Sequence, residues 1–133
     1  MKKLFFLCVA VFMVCGAYAE SEGERLFNEN HPDKAAPILE KEIAEGCVEA
    51  NTFNILGLSY FQLGDYARAM DAFERGMKNP ISNRRQIAFN EGNVAYMEGD
   101  YIKAENCFSL AVSARPDFSE AILNRANARL MAK

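Results

Sequence analysis

Apolar residues recur along this chain at helical spacing, and the same spacing returns further on. Ala69 and Phe73 stand four residues apart, so both project from one face of a helix, and 35 residues later Ala104 and Phe108 repeat the pair. Gly57, Gly64, Asp65 and Tyr66 fall on Gly92, Gly99, Asp100 and Tyr101 with the same shift. A shift of 34 backwards lays Gly23, Asn30, Ala35 and Leu39 on Gly57, Gly64, Ala69 and Phe73. Forward, Pro116 ends one unit, and Ala121, Asn124, Ala126 and Asn127 begin another. A period in this range belongs to stacked helical repeats, which build binding surfaces far more often than reaction centres.

Each recurring residue has a physical reason to be there. Gly57 and Gly92 lie inside apolar helical runs, where glycine costs about 1 kcal/mol against alanine. Close approach of a second helix is the offsetting gain, with Ala69 and Ala104 expected as the facing small surface and the phenylalanines filling beside them. Gly64 and Gly99 suit a left-handed residue that ends the first helix, and Asn30 replaces glycine there as the next-best residue for positive φ. Asp65 and Asp100 then cap the second helix. The unit is a helix, a tight turn and an antiparallel helix.

Phe53, Leu56, Gly57, Tyr60, Gly64, Asp65, Tyr66, Ala69, Phe73 and Pro80 resemble the tetratricopeptide repeat consensus. The following unit keeps Gly92, Gly99, Asp100, Tyr101, Ala104, Phe108, Ala111 and Pro116, but Glu91 stands at the leucine position and Ala88 at the large one. The resemblance implies an all-α, right-handed superhelix of about three such repeats. The expected division is a degenerate repeat over 20–49, repeats over 50–84 and 85–118, and a capping helix over 119–133 that turns Ile122, Ala126 and Leu130 inward and Arg125 and Arg129 outward.

The resemblance also implies a non-catalytic scaffold that holds a partner segment in a concave groove lined by the first helices. The family's contact offsets fall on Asn54, Leu58, Phe61, Phe89, Asn90, Asn93, Tyr96, Asn124 and Asn127, with Met97 and Leu123 among the neighbouring offsets. Asn90 and Asn93 recur as Asn124 and Asn127, which suggests two amide ladders. An amide both donates and accepts, so it can hold an extended main chain whatever its side chains, or tie one helix to the next. Asn54, Gln86 and Glu120 occupy the offsets where a carboxylate clamp needs cations, which argues against such a clamp.

The N-terminus suggests where this scaffold works. Lys2 and Lys3 precede an apolar run from Leu4 to Val14, and Ala17-Tyr18-Ala19 supplies the small residues a signal peptidase requires. Residues 1–19 are therefore expected to be a signal peptide, with an uncleaved anchor over 4–19 as the alternative, and the protein to be exported to a bacterial periplasm. Contact with a membrane would then require that this segment be retained or lipidated. The chain has 15 basic and 18 acidic side chains, and losing Lys2 and Lys3 makes it more acidic still, so nucleic acid is a poor partner. Another envelope protein is the expected one.

Chemistry is thinly represented. The single histidine, His31, precedes Pro32 at a helix start and suits a capping or surface role. There is no glycine-rich phosphate loop, paired Cys-x-x-Cys, metalloprotease helix or serine elbow. No enzyme, cofactor or metal site is expected. Cys8 and Cys15 lie in the removable segment, leaving Cys47 and Cys107 as the basis of an alternative reading, a thiol-dependent redox or holdase function.

Overall fold

The computed structural model describes residues 20–133, so the expected signal peptide lies outside the described residues. Among the described residues seven helices follow one another: α1 (Glu22–Asn28), α2 (Pro32–Ala44), α3 (Thr52–Gln62), α4 (Tyr66–Lys78), α5 (Arg84–Met97), α6 (Tyr101–Ala114) and α7 (Ser119–Met131). There is no strand among the described residues. Neighbours in sequence pack as pairs, and the first helices α1, α3, α5 and α7 also touch one another in succession. This is a helical-repeat array.

The turn within each pair is built the same way three times. Asn30, Gly64 and Gly99 take positive φ of 65°, 77° and 82°. Asp65 N donates to Tyr60 O at 2.9 Å, Asp100 N to Ala95 O at 2.9 Å and His31 N to Leu26 O at 2.9 Å, satisfying carbonyls that the ending helix leaves unpaired. The next residue starts the second helix. Asp65 Oδ1 accepts from Arg68 N and Asp100 Oδ1 from Lys103 N, each at 3.1 Å. His31 occupies the equivalent position without a side-chain cap bond, and Pro32 follows it at the first helical position.

The packing inside each pair differs from the small-against-small contact expected. A Cβ on Gly92 would lie 2.6 Å from Phe108 Cε1, one on Gly23 would lie 2.5 Å from Leu39 Cγ, and one on Gly57 would overlap the Phe73 ring. The glycine therefore sits beneath the large residue of its partner helix. The alanines join clusters that reach into the next unit: Ala69 lies with Phe53, Phe73, Ile87 and Val94, and Ala104 with Ala95, Phe108 and Ala128. Phe73 and Phe108 are fully buried.

The rotation of α7 is a second correction. Ala121 and Ala128 point inward, whereas Ile122, Ala126 and Leu130 are exposed. Small residues win the inner side because α7 seats closely on both α5 and α6, where Ala88, Ala95, Ala104 and Ala111 meet it. Arg129 does point outward, and its Nε donates to Glu105 Oε1 at 2.6 Å.

Candidate functional site

The last turns of α3 and α5, together with α7, surround a cleft of about 290 Å³ lined by Phe61, Asn93, Tyr96, Met97, Phe108, Asn124 and Asn127. Its aromatic wall follows from the repeat. Phe61 at the end of α3 meets Tyr66 at the start of α4 at a tilt of 36°, with ring centroids 5.4 Å apart, and Tyr96 meets Tyr101 edge-on at 5.1 Å one unit later. Phe108 closes the floor from α6, since the absent side chain of Gly92 lets its ring reach through between the helices. Phe108 was expected only as packing.

The asparagines divide into two sorts. Asn90 Nδ2 donates to Asn54 Oδ1 at 2.6 Å, and both residues are buried, so this amide pair ties α5 to α3. Asn124 Nδ2 donates to Asn93 Oδ1 at 3.1 Å, tying α7 to α5, but both remain half-exposed at the cleft, and Asn127 stands exposed beside them. The bonds therefore run diagonally between successive first helices. Each cleft amide keeps unused donor or acceptor capacity toward a visitor.

The expected groove residues are thus partly gathered. Phe61, Asn93, Tyr96, Asn124 and Asn127 line one cleft. Asn54 and Asn90 are engaged with each other beneath the surface, and Leu58 packs against the core around Phe73. Phe89 belongs to an aromatic cluster, 5.9 Å from Phe108 and 4.7 Å from Phe118. None of the lining residues carries a charge, so the cleft selects by shape, apolar contact and amide hydrogen bonding. A separate polar recess of about 320 Å³ is lined by Gln86, Arg115, Asp117, Phe118, Ser119 and Glu120, with a single cation beside two acids.

Electrostatics lie elsewhere in the array. Arg75 on α4 donates to both oxygens of Glu40 on α2 at 3.2 Å, and Tyr60 OH donates to Glu40 Oε1 at 3.2 Å. The Glu40 hydrogen bond holds the Arg75 guanidinium above its usual range. One unit on, Glu74, 34 residues after Glu40, is engaged by Lys103 of α6 at 3.2 Å, so each second helix is tied to the next through this position. Glu91, on α5, is buried; desolvation pushes its carboxyl up, while Lys103 pulls it partly back.

Of the two cysteines in the thiol reading, Cys107 is not placed as a reactive one. Cys107 is free and buried, so it is not bridged to Cys47. Desolvation, helped by Glu91, pushes its thiol up to about 12, which leaves almost no thiolate at neutral pH. No group of three or more His, Cys, Asp or Glu side chains among the described residues could hold a metal ion. Among those residues no helix is long and apolar enough to cross a membrane.

Fold and cleft together define a helical-repeat protein with an uncharged amide and aromatic cleft across its first helices. The tetratricopeptide repeat family model matches residues 50–78, the pair α3 and α4 with the turns around it. Among solved structures, PcrH from Pseudomonas aeruginosa is similar over 87% of this chain and 94% of its own, with a TM-score of 0.65 and 22% identity. That likeness is one of fold. No curated protein matches the chain significantly.

Proposed function

We propose that this chain is a non-catalytic interaction scaffold of a bacterial cell envelope, exported by its N-terminal segment, and that it holds an extended segment of another envelope protein in the cleft of α3, α5 and α7. The observation that carries the reading is the pairing of Asn93 with Asn124 beside Tyr96, Met97 and Phe61, where free amide valences adjoin an apolar recess. Main-chain peptide groups would bond to the amides while one apolar side chain enters among the rings. The neutral lining fits a partner whose segment is uncharged at that point.

The test is affinity capture from envelope extract with the wild-type chain and with the double variant Asn93→Ala/Asn127→Ala. Both asparagines lie at the surface or half-exposed, so losing the Asn93–Asn124 bond should lower the melting temperature only slightly. A partner recovered by the wild type and depleted by the variant is the expected result. Equal recovery by both would remove the cleft from the proposal.

A further inference from the structure

The polar recess and the uncharged cleft lie on one seam. Gln86 in the first turn of α5 and Glu120 in the first turn of α7 line the recess, whereas Asn93 further along α5 and Asn127 further along α7 line the cleft. Gln86 to Asn93 and Glu120 to Asn127 are each seven residues, close to two helical turns, so recess and cleft share one face of both helices. The axial separation is about 10 Å. An extended chain covers that distance in about three residues, so a segment that leaves the cleft along the seam enters the recess.

Charge tells the two hollows apart. In the recess Arg115 Nε donates to Asp117 Oδ1 at 3.2 Å, and the guanidinium lies 5.3 Å from the centre of the Phe118 ring, so the recess's cation is already held by one of its two acids. Glu120, the other acid, is exposed and makes no ion pair among the described residues. The recess therefore presents one uncompensated negative charge beside the Gln86 amide, whose oxygen can accept a further hydrogen bond. We infer, building on the cleft reading above, that the bound segment carries a lysine or arginine about three residues from the apolar side chain that enters the cleft, and that the recess takes this cation between Glu120 and Gln86. An acidic residue there would meet Glu120 and Asp117 and be repelled. The cleft thus selects shape and the recess selects the sign of charge, and the repulsion serves specificity as much as the attraction does.

Selection of displayed random peptides on the immobilised chain, wild type against Glu120→Lys, tests this. Glu120 is exposed, so the variant should keep its helical circular dichroism. The wild type should enrich peptides that pair Leu, Ile, Met or Phe with Lys or Arg about three positions away, and Glu120→Lys should replace that cation by Asp or Glu. In an enriched peptide, changing the cation to glutamine should weaken binding to the wild type about two- to fivefold by fluorescence anisotropy, the weight of an exposed ion pair, and leave binding to Glu120→Gln unchanged. Enriched peptides that lack the cation, or a cation preference that Glu120→Lys leaves in place, would overturn the inference and spare the cleft. Peptides that bind Asn93→Ala/Asn127→Ala as tightly as wild type would remove the cleft, and a selection that enriches no sequence would remove both.

Discussion

The ring of Phe108 lies against the backbone of Gly92 so closely that a Cβ there would come within 2.6 Å of Cε1 and 2.7 Å of Cδ1. One glycine thus decides the spacing of α5 and α6 and, by letting the ring pass, the floor of the cleft. Gly57 with Phe73 and Gly23 with Leu39 repeat the arrangement. The device is the same in all three pairs.

Gly92→Ala should accordingly destabilise the fold although alanine is the better helix former. The overpacking penalty, about 1–3 kcal/mol, exceeds the propensity gain of about 1 kcal/mol at most positions as tight as this one. Urea unfolding should show a lower midpoint for Gly92→Ala and partial recovery in Gly92→Ala/Phe108→Leu. A midpoint equal to wild type would mean that the helices part without strain.

The buried amide pair Asn54 and Asn90 makes a different expectation. Removing either side chain strands the other in the interior, at a cost of about 1–3 kcal/mol. Removing both should cost less than the two single changes added together, because no unpaired amide is then left. A double-mutant cycle on Asn54→Ala and Asn90→Ala measures that coupling, and strict additivity would show that the 2.6 Å bond contributes nothing.

What the sequence made legible here was local. Positive φ at Asn30, Gly64 and Gly99 and the caps at Asp65 and Asp100 depend on residues a few positions apart, and each followed from residue type. The pairing of Asn90 with Asn54, rather than an open ladder, depends on the axial offset between α3 and α5, which no periodicity encodes. The same holds for α7. Its helical wheel offers two stripes, Ala121 with Ala128 and Ile122 with Leu130, and hydrophobicity alone favours the second. Close contact with α5 and α6 selects the first. Phe61 and Tyr96 could be placed at the cleft because they stand at the ends of helices whose position the repeat sets, and Asn127 because it repeats Asn93 one unit on.

Cys107 should behave as a packing residue. Buried, with its thiol pushed up to about 12, it should resist alkylation by iodoacetamide in the native protein and react readily in denaturant. Cys107→Ala should leave cleft binding unchanged and lower stability modestly. Rapid native labelling at Cys107, followed by mass spectrometry of the peptide that carries it, would contradict this burial.

Glu91 links stability to pH. It stands where the repeat consensus has leucine, on a buried face of α5, with Lys103 and Cys107 of α6 and Glu74 of α4 as its titratable neighbours. Lys103 is itself engaged by Glu74 at 3.2 Å, so it compensates Glu91 only in part. Desolvation raises the folded-state value above the ordinary 4.5, so in the window just above 4.5 the folded chain binds more protons than the unfolded one. By linkage, this group's contribution to stability is greatest below that window and falls as pH rises through it. Glu91→Gln should therefore raise the melting temperature at neutral pH, and the advantage should shrink as pH falls toward 4.5, where the wild-type carboxyl takes up its proton. Glu91→Leu should gain at neutral pH as well where the shorter, branched apolar side chain packs beside Cys107. Thermal unfolding of wild type and Glu91→Gln across that range reads the sign directly. A pH-independent difference would show that the Lys103 attraction cancels the effect of burial, and a variant less stable at neutral pH that it outweighs it.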